Sequence, residues 1–224
     1  MLPASTILRK CSACSHYMKE YSLLSGNTIG ARYWTDGKRK APMLPEYPLL
    51  VKCPHCGVVV WIKEMEEIGR GFKFKYREKL PDFWHPIQRY KELQRRKNLK
   101  SPEDLTIDEY YLHLETVPVE KDREIYVRMH LWWKENDPRR VQNSDVMLEL
   151  EERQRENMEL LEAMLDESID ENRIMKAEIQ RELGNFEKAL MYLDFSFPVE
   201  LEVAVETIRR LAKARESCVK ELIQ

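Results

Sequence analysis

Cys11-Ser12-Ala13-Cys14 and, after a long gap, Cys53-Pro54-His55-Cys56-Gly57 decide how the first third of this 224-residue chain folds. A two-residue gap lets one tight turn aim two sulfurs at one ion. Two such turns close a four-thiolate tetrahedral shell, the shell that zinc favours in structural sites. The expectation is one structural zinc ion held by Cys11, Cys14, Cys53 and Cys56. The span between the pairs is no obstacle, because closing a long loop costs little more than closing a short one. Gly57 suits a backbone that wraps a metal with φ > 0, and Pro54 stiffens the same turn. His55 reads as an exposed turn residue rather than a ligand. Val58-Val59-Val60-Trp61-Ile62 follows as a strand.

These residues resemble a zinc ribbon, in which Cys-Pro-x-Cys-Gly is a knuckle and a β-hairpin leaves it. The resemblance covers the first third of the chain and implies the same four cysteines as ligands. The first knuckle departs from the pattern, with Ser15 where glycine is usual. Cys-Pro-His-Cys is also the active-site tetrad of strongly oxidising thioredoxin-like proteins, which would make Cys53 and Cys56 a thiol-disulfide oxidoreductase pair. There the first cysteine opens a helix whose N-terminus lowers its pKa. Here Gly57 and β-favouring residues follow, and Cys11 and Cys14 would have no role. A pair of disulfides is the third reading, and it needs an oxidising compartment.

Composition narrows the class. Hydrophobic residues make up 43% of the chain, enough for a packed core, and 34% charge with only 7 glycines suggests many solvated helix faces. No run approaches the ~18 apolar residues of a membrane span. Met1 to Lys10 lacks the apolar core of a signal peptide, so the expected location is cytoplasmic, where thiols stay reduced. The net charge of −2 hides an asymmetry, because residues 1–80 are basic on balance and the rest acidic. Either the two parts attract each other, or the basic part binds an anion such as nucleic acid. In the second case Arg32, Lys38, Arg39, Lys40, Lys73 and Lys75 would be the phosphate contacts.

Along the chain, Thr6 to Lys10 leads into the first knuckle as a strand, and residues 15–24 read as a helical turn or a loop. Ala31 to Trp34 enters Asp36-Gly37, a hairpin signal in which both central residues take φ > 0. Pro42, Pro45 and Pro48 enforce an extended connection. Phe72 to Arg77 alternates aromatic and cationic residues as a strand does. The expected fold is α+β: a small β-rich zinc ribbon-like domain over 1–78, a junction over 79–100 that ends in a short basic helix from Ile87 to Leu99, and an all-α domain over 101–224.

In that last part Thr106-x-x-Glu109 is a capping box. Ile125, Met129, Trp132 and Trp133 mark a helix that Asn136-Asp137-Pro138 stops, with only one of the two tryptophans fully buried. His113 and His130 read as core-edge or surface residues. A third helix begins near Ser144, with Met147, Leu150, Met158, Leu161 and Leu165 on one stripe. A final helix runs from Val199 to Leu222, with Cys218 as a buried thiol on its apolar stripe.

Ala177-Glu178-Ile179-x-Arg181-x-Leu183-Gly184-Asn185-Phe186-Glu187-x-Ala189-Leu190-x-Tyr192-Leu193 resembles one tetratricopeptide unit. The resemblance implies two helices turning at Gly184-Asn185, with Ala177 and Ala189 at a close crossing. The joined architecture resembles bacterial proteins that pair a Cys-Pro-x-Cys-Gly knuckle with such helices, a likeness that implies no activity. No glycine-rich phosphate loop, dinucleotide fingerprint, HExxH or GxSxG is present in the sequence. The expected function is a non-enzymatic protein-interaction scaffold with an unidentified protein partner. Nucleic-acid binding and thiol-disulfide exchange are the alternatives.

Overall fold

Residues 1–70, 73–74, 99–141 and 150–222 are described by the computed structural model of the chain. The fold is α+β. Ten short strands run β1 (Leu2–Pro3), β2 (Ile7–Lys10), β3 (Tyr17–Glu20), β4 (Leu23–Ser25), β5 (Arg32–Tyr33), β6 (Arg39–Lys40), β7 (Leu50–Lys52), β8 (Val59–Trp61), β9 (Glu66–Arg70) and β10 (Lys73–Phe74). The described helices are α1 (Ile107–Thr116), α2 (Lys121–Val141), α3 (Glu152–Met164), α4 (Asp170–Glu182), α5 (Phe186–Tyr192) and α6 (Glu202–Lys213). The chain divides into two units, Met1–Gly30 with Ala41–Thr106, and Ala31–Lys40 with Ile107–Gln224. Most of the expected strand over 72–77, the helix over 87–99 and the start of a helix near Ser144 lie outside the described residues.

The first unit is built on an antiparallel sheet of order β10-β9-β2-β3. Residues 15–24, expected as a helical turn or a loop, contain β3 and the start of β4. Alternation explains it: Met18 and Glu20 are buried while Tyr17 is exposed, so β3 presents one face inward as it pairs with β2. The core holds Ile7, Leu8, Leu50, Val51, Ile62, Ile68 and Leu105. A sulfur-rich cluster of Cys11, Met18, Cys53 and Met65 lies beside Cys14, Val58 and Val60. Arg9 and Glu20 form a buried ion pair at 2.7 Å. Arg9 also donates to the Met65 carbonyl, and Lys63 to the other Glu20 oxygen.

In the second unit each helix packs on the next, and α4 also meets α6. Trp132, Met158, Leu161, Leu165 and Ile179 form one core cluster, and Ile174, Ala177, Leu193, Val205 and Ile208 another. Trp132 is buried while Trp133 is partly exposed, as a 100° turn between adjacent residues requires. The α4–α5 hairpin turns at Gly184 (φ 84°), and Asn185 N–H closes back on the Gln180 carbonyl at 2.8 Å. Ala177 and Ala189 are fully buried, and such small side chains let helix backbones approach closely.

Three sequence expectations for this unit are overturned. Helix α2 passes through Pro138 to Val141, although proline removes a backbone donor. Arg140 holds the final turn, donating to the Trp133 carbonyl at 2.7 Å and pairing with Asp36 and Asp137. The last helix ends at Lys213, well short of Leu222. Arg215 takes φ 55°, and Glu216 N–H bonds the Leu211 carbonyl at 3.0 Å, closing the end. The chain then runs beside the hairpin of β5 and β6: Leu222 N–H meets the Tyr33 carbonyl, and Thr35 N–H the Lys220 carbonyl. Cys218 lies in this tail, half-buried, rather than on a helical stripe. Third, only Gly37 of Asp36-Gly37 has positive φ. Its N–H bonds the Trp34 carbonyl, and Trp34 N–H bonds the Lys38 carbonyl, so the turn is longer than a two-residue one.

Candidate metal centre

Each CxxC pair sits where one strand turns into the next, Cys11-Cys14 between β2 and β3 and Cys53-Cys56 between β7 and β8. The two turns share one hydrogen-bond pattern. Cys11 N–H donates to the His16 carbonyl and Ser15 N–H to the Cys11 carbonyl. Likewise Cys53 N–H donates to the Val58 carbonyl and Gly57 N–H to the Cys53 carbonyl, all at 2.9–3.0 Å. Ser15 (φ 61°) and Gly57 (φ 74°) occupy the same left-handed position. The departure seen in the sequence therefore leaves the first knuckle's geometry intact and makes Ser15 carry strain. An L-residue there costs about 1–2 kcal/mol. Ser15→Gly is expected to raise stability by up to about 1 kcal/mol once glycine's extra unfolded-state freedom is deducted. Thermal unfolding at fixed metal concentration checks it; an unchanged or lower midpoint would refute it.

All four sulfurs lie within 4.8 Å of one another. Cys11 and Cys56 are 3.9 Å apart, and Cys14 and Cys53 3.8 Å. A tetrahedron of sulfurs each ~2.3 Å from a central ion has edges of about 3.8 Å. The four cysteines could hold a metal ion. Burial opposes the Cys11 thiolate, but the N–H groups of Cys14 and Ala13 outweigh it and draw the thiol down to about 7. Burial pushes the Cys53 thiol up. Sulfurs this close cannot all ionise without a cation between them. Cys53 opens no helix: Gly57 and β8 follow it, so the helix-dipole activation of an oxidoreductase cysteine is missing. His55 and His16 are exposed and stack on each other, ring centres 4.5 Å apart.

The basic residues expected as phosphate contacts do not all belong to the cysteine-bearing unit. Arg32, Lys38, Arg39 and Lys40 belong to the hairpin that folds with the helices. Arg32 spends its guanidinium on Glu221 at 2.7 and 2.5 Å, and Lys38 its ammonium on Asp137 at 2.6 Å. Arg39 is half-buried and Lys40 exposed. Lys73 lies on β10, and Lys75 is outside the described residues.

A second cluster escaped sequence reasoning. Asp36, Asn136, Arg140, Glu178, Arg181 and Glu182 meet in the interior of the helical unit. The Asn136 amide donates to Asp36 and to both Glu182 oxygens at 3.1 Å. Trp132 Nε1–H donates to Glu182 at 3.1 Å. Arg140 pairs with Asp36, and Arg181 pairs bidentately with Glu178 at 2.7 and 2.6 Å. Arg181 also donates to the Glu216 and Cys218 carbonyls. The sequence carries no distinct signal for it, because each charged residue of α4 reads by itself as a solvated helix position. Residues 176 to 182 are all buried.

Three carboxylates against two guanidiniums leave a surplus negative charge. Burial, together with Glu178 and Asp36, pushes the Glu182 carboxyl up to about 8, and burial raises Asp36 as well. A raised carboxyl contributes its full stability below its unfolded value of 4.5, loses it progressively as pH rises toward 8, and is level above that. Glu182→Gln cannot ionise. Its unfolding midpoint relative to the native chain is expected to climb between about pH 5 and pH 8. A pH-independent difference would remove the assignment.

Near the α4–α5 turn an open cleft of about 620 Å³ is lined by Glu159, Glu162, Gln180, Asn185, Glu187 and Lys188. Its most buried carboxylate, Glu162, is satisfied within the chain by Gln180, Tyr192 and Lys188. No family model matches the chain, and neither a curated protein nor a solved structure does. No described helix is long and apolar enough to cross a membrane.

Proposed function

We propose that this chain is a non-enzymatic interaction protein in which one structural zinc ion holds a ribbon-like β unit, and a tetratricopeptide-like helical hairpin serves partner binding. The observation that carries the zinc reading is the sulfur spacing of 3.8 and 3.9 Å across the two knuckles. It matches a closed thiolate shell that leaves no open coordination position for catalysis. Two buried ligands inside the core cluster favour a structural ion. Thiolate ligands must stay reduced, which favours a reducing compartment.

Elemental analysis of protein purified without added metal, paired with thiol titration, tests this. The expected result is one zinc per chain, with the four cluster thiols reacting only after chelation or unfolding. Metal-free protein with one fast-reacting thiol at Cys53 or Cys56 would overturn the zinc reading in favour of thiol-disulfide exchange.

The interaction reading rests on the buried alanine crossing of the α4–α5 hairpin and on exposed apolar residues, Met191 on α5 and Phe195, Val199 and Val203 beyond it. Replacing Phe195 and Val203 by Glu is expected to abolish capture of a partner while leaving helicity unchanged. Equal capture by both proteins would count against it. Nucleic-acid binding is the weaker reading, because Arg32 and Lys38 are already engaged by carboxylates.

A further inference from the structure

The four cysteines are unequally sheltered. Cys11 and Cys53 are 1% exposed, Cys14 is intermediate, and Cys56 alone is exposed. Across the two knuckles, Cys56 Sγ lies 3.9 Å from Cys11 Sγ. An oxidant arriving from solvent thus meets Cys56 first, while the sulfur placed to complete the reaction is buried behind it. We propose that Cys56 is the site at which a hydroperoxide oxidises this centre, and that Cys11 resolves the product into a cross-knuckle disulfide that expels the metal. This rests on the zinc reading above.

The chemistry balances. The Cys56 thiolate attacks the peroxide O–O bond; an S–O bond forms, the O–O bond breaks, and the departing alkoxide or hydroxide takes a proton. Cys11 Sγ then attacks Cys56 Sγ; the S–S bond forms, and the S–O bond breaks with loss of water after protonation. Two thiolates lose two electrons, and the hydroperoxide gains them. A bound ion would then have only Cys14 and Cys53, half of the ligand set, to hold it, and would be released. Ordinary dithiol reductants reverse the disulfide and restore the site.

The test uses the full chain carrying Cys218→Ser, so that the half-buried thiol outside the cluster cannot contribute. Zinc content is measured first. Hydrogen peroxide is then added while free zinc is followed with a chromogenic chelator; a sulfenic-acid trap and peptide mapping locate the modified sulfurs. The expected result is trapping at Cys56 before any other cysteine, a Cys11–Cys56 disulfide forming as zinc appears, and recovery of metal binding after reduction. Cys56→Ser, if it retains zinc, loses the fast phase of release; the trapping order in the unaltered cluster keeps the proposal testable if it does not. First labelling at Cys14, a Cys53–Cys56 disulfide, or oxidation without zinc release would each overturn it. Protein that holds no zinc at the outset would instead defeat the zinc reading, so the two failures are distinguishable.

Discussion

Stripping the metal with a strong chelator is expected to unfold the cysteine-bearing unit and leave the helices protected. The reason lies in the core. Cys11 and Cys53 are two of the four buried residues of their cluster, and Met18 and Met65 are the others. The strands around them are short, with β7 and β8 only three residues each. Structural zinc contributes about 10–16 kcal/mol of apparent binding free energy in small thiolate domains, and that binding is folding free energy. No short β unit retains enough stability to survive such a loss. Hydrogen exchange read by mass spectrometry should show peptides from 7–20 and 50–70 losing protection together. Peptides from α3 to α6 should keep theirs, because their clusters contain no ligand. Cys53→Ser should reproduce the effect without chelator. Retained protection in 7–20 after verified metal removal would refute the structural role.

Asp36→Ala should cost the helical unit about 3–5 kcal/mol, the range for removing one partner of a buried ion pair. Asp36 is fully buried and Arg140 nearly so, their side chains 0% and 5% exposed. With the carboxylate gone, Arg140 keeps the half-exposed Asp137, the Trp133 carbonyl and the Trp34 ring, and Asn136 loses one of its acceptors. Pairing Asp36→Ala with Arg140→Met should cost less than the sum of the two, because the double change leaves no unpaired charge behind. Urea unfolding followed by tryptophan fluorescence is suited to this, since Trp132 and Trp133 both donate into the network. A loss below about 1 kcal/mol, typical of exposed pairs, would mean the cluster is solvated in practice.

The knuckles were legible in the sequence because cysteine spacing reports ligand geometry directly. Gly57 and Gly184 announced their turns because few other residues reach that backbone region. Helix stripes such as Met158, Leu161 and Leu165 were legible from periodicity. Tertiary override hid the rest. Pro138 reads as a stop, yet a guanidinium whose main partner lies a hundred residues earlier holds the turn beyond it. The stripe from Val205 continues on paper to Leu222, yet Arg181 draws the Glu216 and Cys218 carbonyls back across the bundle. Charged residues on α4 look solvated one at a time; only their simultaneous burial against Asp36 and Asn136 shows otherwise.

The placement of residues 31–40 has a consequence for the order in which the protein is made. Ribosomes deliver this hairpin early, but its stabilising partners come late: Asp137 and Arg140 from α2, then Lys220, Glu221 and Leu222. Residues 41–106 can close on residues 1–30 while the hairpin between them still has a carboxylate without its cation. A nascent chain halted anywhere before residue 220 therefore carries an unfinished loop, and removing residues 220–222 cuts, in effect, into residues 31–40.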